Sequence, residues 1–172
     1  MIQTRDELIE LIRAARRSGS RPDLRELNLR NLNLRGMDLH DADLQGADLS
    51  TIDFSPANLV RVGGADLRGT HAEHADFAAA NLSGANLHHA QLAGANMQGV
   101  VLEWADLRRA NLRGVNLRGA NLHDAYLDGA DVRDADLTGA QITAAQLAAI
   151  AHLAGAKLPD GSVFHAPQVQ AE

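Results

Sequence analysis

The sequence predicts an all-β solenoid whose chain turns a corner every five residues and points one leucine per turn at a shared axis. Three observations carry this. Apolar residues recur with a period of five, aromatics make up only 3 % of the chain, and glycine recurs at one fixed place in the period. The series runs Leu24, Leu29, Leu34, Leu39, Leu44, Leu49, Phe54, Leu59, then, after a slip, in fives from Leu67 to Ile142. Of these 24 centres 18 are Leu; Ala stands two places before the centre in 16, and Asp or Asn one place before it in 19. On an α-helix, steps of five advance about 140° past a full turn and spray the leucines around the axis. In a straight strand an odd spacing sends successive leucines to opposite faces. A corner in every repeat brings each Leu back inside, and glycine suits the corner because it tolerates unusual backbone angles.

The repeat unit, Ala-(Asp/Asn)-Leu-X-Gly, makes residues 22–144 resemble the pentapeptide-repeat family. That resemblance implies a right-handed quadrilateral β-helix with four repeats to a coil. Twenty-four repeats then make about six coils, a rod on the order of 29 Å long at the usual strand spacing. Leu44, Phe54, Phe77, Leu87, Met97, Leu107 and Leu127 are expected in its core. The eight residues from Leu59 to Leu67 read as one repeat plus a three-residue bulge near 60–64, which stacks Phe54, Phe77 and Met97 in one column and sets small Ala72 beside Phe77.

Open solenoid ends template aggregation, so each needs a cover. Residues 1–21 supply a helix: Thr4 to Glu7 has capping-box spacing, Leu8, Ile9, Leu11, Ile12 and Ala15 form an apolar stripe, and Ser18-Gly19-Ser20-Arg21-Pro22 ends it. Residues 145–172 are expected to hold a second helix, boxed by Thr143 and Gln146, faced by Leu147, Ile150 and Leu153 and stopped by Gly155. A turn at Leu158-Pro159-Asp160-Gly161 and a loose tail from His165 follow.

Composition bounds the function. The chain has 172 residues, no cysteine and a net charge of −6. Disulfides and thiolate metal sites are excluded, and the charge argues against direct nucleic-acid binding. Met1 to Glu10 carries three acids and no apolar run, and no segment approaches a membrane span, so a cytoplasmic location is expected. Ser and His form no nucleophile arrangement and no glycine loop precedes a helix, so neither an enzyme nor a cofactor is expected. His71, His74, His88 and His89 cluster near Glu73 without the spacing of a tetrahedral metal set.

Numbering the sides by Leu67, Ala72, Phe77 and Leu82, the first three outer faces mix Arg with Asp and Glu. On them lie Arg25, Arg68, Arg108 and Arg109, then Arg30, Arg113 and Arg133, then Arg35 and Arg118. The fourth face carries Asp38, Asp41, Glu103 and Asp124 against Arg61 alone, together with Val60, Val101 and Trp104. Val101 and Trp104 replace the expected Asp/Asn and Gly, and Trp104 is the one tryptophan. Val101, Glu103, Trp104, Asp124, Asp38 and Asp41 are therefore the candidate contact residues for an unidentified protein partner.

The resemblance implies an alternative, since some family members mimic duplex DNA, bind type II topoisomerases such as DNA gyrase and confer quinolone-type resistance as dimers joined at their C-terminal ends. DNA would present roughly 17 negative charges over that length. Residues 22–144 hold 17 Asp and Glu against 10 Arg, so the charge density is well under half that of DNA. A monomer, or a homodimer joined through Leu147, Ile150, Leu153 and Phe164, fits the C-terminal sequence.

Overall fold

The structure is a computed structural model, and it describes residues 2, 4–30, 32–34, 37–39, 41–50, 52 and 64–165. Its unit of construction is a single parallel bridge. Leu107 donates its N–H to the Tyr126 carbonyl (2.8 Å) and Tyr126 donates to Ala105 (2.9 Å), tying two coils together. Such bridges fall in four columns. The first runs Asp23, Asp43, Asp66, Asn86, Asp106, Tyr126, and the second Asn28, Asp48, His71, Gln91, Asn111, Asp131, His152. The third runs Asp76, Asn96, Asn116, Asp136, Lys157, and the fourth Asn81, Val101, Asn121, Gln141. Most steps are 20 residues, so four five-residue sides close one coil.

Every backbone N–H of a regular repeat is used, and this accounts for the consensus. In the repeat of Leu107, Asp106 bonds to the coil below through Ala85, and Leu107 and Arg109 bond to the coil above through Tyr126 and Asp128. The N–H of Ala110 closes a turn onto the Leu107 carbonyl (3.1 Å). That leaves Arg108, whose N–H is taken by the Asp106 carboxylate (3.1 Å). Asp or Asn before the centre is thus the acceptor for the fifth donor, as Asn81 is for Ser83 and Asn121 for His123. The third residue of each such turn is left-handed. Glycine takes the place at Gly84 and Gly99, but non-glycine residues from Glu26 to Asp134 hold it as well, all with φ between 53° and 61°.

The interior is as the period predicts. Leu44 and Met97 are fully buried, and Phe77, Leu87, Leu107 and Leu127 expose 2 % or less. Thr70, which takes an Ala position, is also fully buried, and its hydroxyl is satisfied by the Leu67 carbonyl (2.9 Å). Phe77 and Met97 share the third column, while Phe54 lies outside the described residues, as does the predicted bulge apart from Gly64. The flanks nonetheless count three extra residues: Asp43 pairs with Asp66 and Asp48 with His71, each 23 apart. Gly64 is already in register, donating to Ser83 (3.0 Å) as Gly84 donates to Glu103.

Helix α1, Arg5–Arg17, begins at the Thr4–Glu7 capping box, and its Leu8 and Ile12 join the same apolar cluster as Leu24 and Leu29. Arg16 clasps Asp38 (3.1 Å) and Arg5 donates to the Asn33 carbonyl (2.8 Å), fixing α1 against the first described repeats.

The C-terminal segment departs from expectation. Helix α2 spans only Ala144–Ala149 and ends at Ile150, not at Gly155. Pairing then resumes, with His152 bridging Asp131 and Lys157 bridging Asp136, each 21 residues on. Residues 151–160 are therefore two more repeats (Ala-His-Leu-Ala-Gly and Ala-Lys-Leu-Pro-Asp) displaced by one place because a six-residue helix replaces a five-residue side. After the predicted turn, where Gly161 donates to Leu158 (2.9 Å), the chain folds back and Val163 pairs antiparallel with Lys157. Phe164 takes the N–H of Gly155 (3.1 Å), filling a bond that a further coil would otherwise make.

Candidate partner-binding surface

A repeated local device offsets charge on the first two of the mixed faces, three times on the first and once on the second. Where Asp precedes the centre and Arg follows it, the guanidinium folds across the side and grips the carboxylate in a fork. Arg25 grips Asp23 (2.8 and 2.7 Å), Arg68 grips Asp66 (2.8 and 2.7 Å), and Arg108 grips Asp106 (2.9 and 2.7 Å). Arg133 grips Asp131 in the same way. The hydrogen bond from Arg25 pulls Asp23 from its ordinary 3.8 to about 2, and the Thr138 hydroxyl pulls Asp136 to about 2. The side-chain bonds of Arg108 and Arg133 hold Asp106 and Asp131 low, and at Asp66 burial pushes upward but the Arg68 fork outweighs it.

These are depressed carboxyl values, so the stability they contribute is complete above the unfolded value and is lost as pH falls through the folded one. We expect the urea midpoint to hold from pH 7 to about 4 and to fall steeply between about 4 and 2. Denaturation by circular dichroism at each pH tests this; a midpoint that is flat to pH 2 would show the forks to be energetically idle.

The six candidate contact residues separate into two groups. Asp38 and Asp41 lie three coil steps from Trp104, about 14 Å away at the usual strand spacing. Asp38 is occupied by Arg16 of α1 (3.1 Å), and the Asp41 carbonyl accepts from Arg21 (2.6 Å). Val101, Glu103, Trp104 and Asp124 do lie together. Val101 bridges Asn81 and Asn121, Glu103 accepts from the Asn121 amide (2.7 Å), and Asp124 lies 3.2 Å from His123. Trp104 donates its N–H to the His123 carbonyl (3.1 Å) and meets the His123 ring edge-on at 6.4 Å. Trp104 is 59 % exposed, so the described residues leave most of it uncovered.

Tyr126 was not singled out from sequence. It lies just across the corner from Asp124, is 52 % exposed, and carries the Arg108 guanidinium 5.9 Å above its ring. The signal was available: like Val101, Tyr126 stands where Asp or Asn is expected. Among the histidines, His71 lies 3.7 Å from Glu73, and His88 and His89 meet edge-on at 4.2 Å. Burial lowers the pKa of His88, with His89 adding to the effect. Among the described residues no group of three or more His, Asp or Glu could hold a metal ion, and no helix is long and apolar enough to cross a membrane.

Comparison with known proteins places this geometry. The family model described as pentapeptide repeats matches in 8 copies, over 23–55 and, in overlapping stretches, 63–148. HetL of the cyanobacterium Nostoc sp. strain PCC 7120, a pentapeptide repeat protein involved in heterocyst differentiation regulation, is 31 % identical over 84 % of this chain and 73 % of its own (TM-score 0.44). Rfr23 of the cyanobacterium Cyanothece 51142 is 30 % identical over 54 % of this chain, which spans 61 % of Rfr23 (TM-score 0.44). QnrB1, a plasmid-mediated fluoroquinolone resistance protein, is 19 % identical over 78 % of each chain (TM-score 0.30). No curated protein matches the sequence.

Proposed function

Because the chain belongs to the pentapeptide-repeat family, whose members fold as right-handed quadrilateral β-helices, we propose that it is a non-enzymatic binding rod that presents the edge around Trp104 to a protein partner. The rod has about six coils, with α1 closing one end and α2 with the terminal hairpin closing the other.

One observation carries this reading. Trp104 holds a left-handed backbone, φ 60°, at a corner where glycine would serve without strain. That conformation costs a bulky L-residue about 1–2 kcal/mol, and an indole left 59 % exposed recovers little of it by burial. Other corners carry strained residues, but those are small or polar, except where a long side chain drapes over the next coil, as Arg109 does over Gly129. A large aromatic kept both strained and exposed fits a contact anchor better than a structural part.

Trp104→Gly separates the two roles. We expect it to raise stability by about 1 kcal/mol, because the strain is relieved, and to weaken partner capture by tenfold or more. Thermal melts and quantitative pull-down from the native host read the two effects. A variant that captures the same partners as the parent chain would end the proposal.

Mimicry of DNA toward a type II topoisomerase is the second reading, and it draws support from the acidic excess of the repeats. The Asp–Arg forks weigh against it, because they cancel charge where Asp is densest. It predicts a dimer that inhibits gyrase supercoiling, whereas the anchor reading predicts no effect on that assay.

A further inference from the structure

Trp104 stands in a row of corners that includes two glycines. Along this edge the corner residues run Asp41, Gly64, Gly84, Trp104, Asp124, one coil apart, each with positive φ. Among the described residues, a Cβ built on Gly84 would approach nothing closer than the Gly64 amide nitrogen at 3.9 Å, so no described side chain covers the backbone at this corner. The ring meets His123 edge-on at 6.4 Å, and two carboxylates stand at neighbouring positions. Asp124 takes the next corner, and Glu103 precedes Trp104 in the chain. The Asn121 amide orients Glu103 without neutralising it. Arg61, placed on this side from the sequence, lies outside the described residues; the described residues of this side include no Lys or Arg, in contrast to the forked acids of the first two sides.

Resting on the reading of Trp104 as a partner anchor, we infer that the partner presents a basic segment. One of its Arg or Lys side chains lies along the Gly84 corner, with its cation against the indole face and within reach of Glu103 and Asp124. The complementarity is specific. An exposed indole attracts cations through its π face, Glu103 held by a neutral amide and Asp124 facing the His123 imidazole (3.2 Å) add charge of the right sign, and the glycine corner leaves room for a long aliphatic stem. Arginine is favoured over lysine, because its planar guanidinium stacks on an aromatic ring while its N–H groups reach carboxylates. The net charge of −6 steers a basic segment inward and repels acidic peptides and nucleic acid.

The test uses the full chain and a hepta-arginine peptide at low salt, followed by the emission of the lone tryptophan and by calorimetry. Saturable binding that perturbs Trp104 is expected, with Glu103→Gln/Asp124→Asn weakening it about tenfold. Asn tolerates the left-handed corner at 124, so that variant folds. Glu26→Gln/Asp134→Asn removes the same two charges at corners of other sides and should bind as the parent does. Equal losses in the two double variants, silent tryptophan emission, or tighter binding of hepta-glutamate or duplex DNA would each overturn the inference. The anchor is judged separately by partner capture. If Trp104→Ala loses capture while Glu103→Gln/Asp124→Asn keeps it, the basic partner is wrong and the anchor stands. If neither variant loses capture, both ideas fail.

Discussion

Replacing Leu112 by Asp should abolish the cooperative fold. Leu112 is fully buried on the second side, in line with Leu92 below and Val132 above, both also fully buried. The backbone donors around it are committed: its own N–H goes to Asp131 (2.8 Å) and that of Val115 back to Leu112 (3.2 Å). A carboxylate there would meet neither water nor a counter-charge, and even its protonated form would lack a partner. Stranding such a group costs several kcal/mol, on top of the leucine's lost burial. The total is comparable to the roughly 5–15 kcal/mol that holds a whole domain together. Stacked coils are stabilised by nearest neighbours, so a lesion in the middle also severs the support each half gives the other. Urea titration with circular dichroism should show no sigmoidal transition. A parental midpoint would mean that position 112 is not enclosed, and the inward-pointing series would lose its physical basis.

Phe77→Ala is the second large effect, expected at about 3–5 kcal/mol. The ring is 1 % exposed, below Met97 in its column and beside Ala72 and Ala75, small neighbours that leave room for it. Removing the six ring carbons therefore opens a void that short alanines cannot fill. Phe77→Leu should cost less than about 1.5 kcal/mol, because the column already accepts aliphatic side chains. Equal losses for the two variants would indicate that shape, not volume, sets this site.

The period of five made the solenoid legible because only one chain geometry puts every fifth residue inside. The N-terminal helix was legible for a similar reason, since Thr4 and Glu7 announce a capping box that the structure contains. What the sequence hid came from competition between local and long-range signals. Residues 143–149 carry both an Ala-Gln-Leu repeat and a capping box on an alanine-rich run, and the helix won. That helix displaced the next repeat by one place, so Ala151 to Gly155 passed for its continuation and stop. The Asp–Arg forks were visible only as mixed charge, because pairing across one flat side depends on a backbone that the repeat pattern does not display. Trp104 and Val101 were found as breaks in the consensus; Tyr126, an equal break, was overlooked because its face looked ordinary.

The two repeat distances of this fold separate reach from aim. Bridges recur every 20 residues, so a block of that size added within the regular repeats lengthens the molecule by about 4.8 Å and leaves every later side chain pointing as before. A block of five would instead rotate everything beyond it by a quarter turn relative to α1. The three extra residues before Gly64 belong to neither class, and the phase of every subsequent corner is preserved across them. Such a chain works as a ruler and a protractor at once: insertions can extend it without re-orienting Trp104, or swing the indole through a right angle without changing the residues around it.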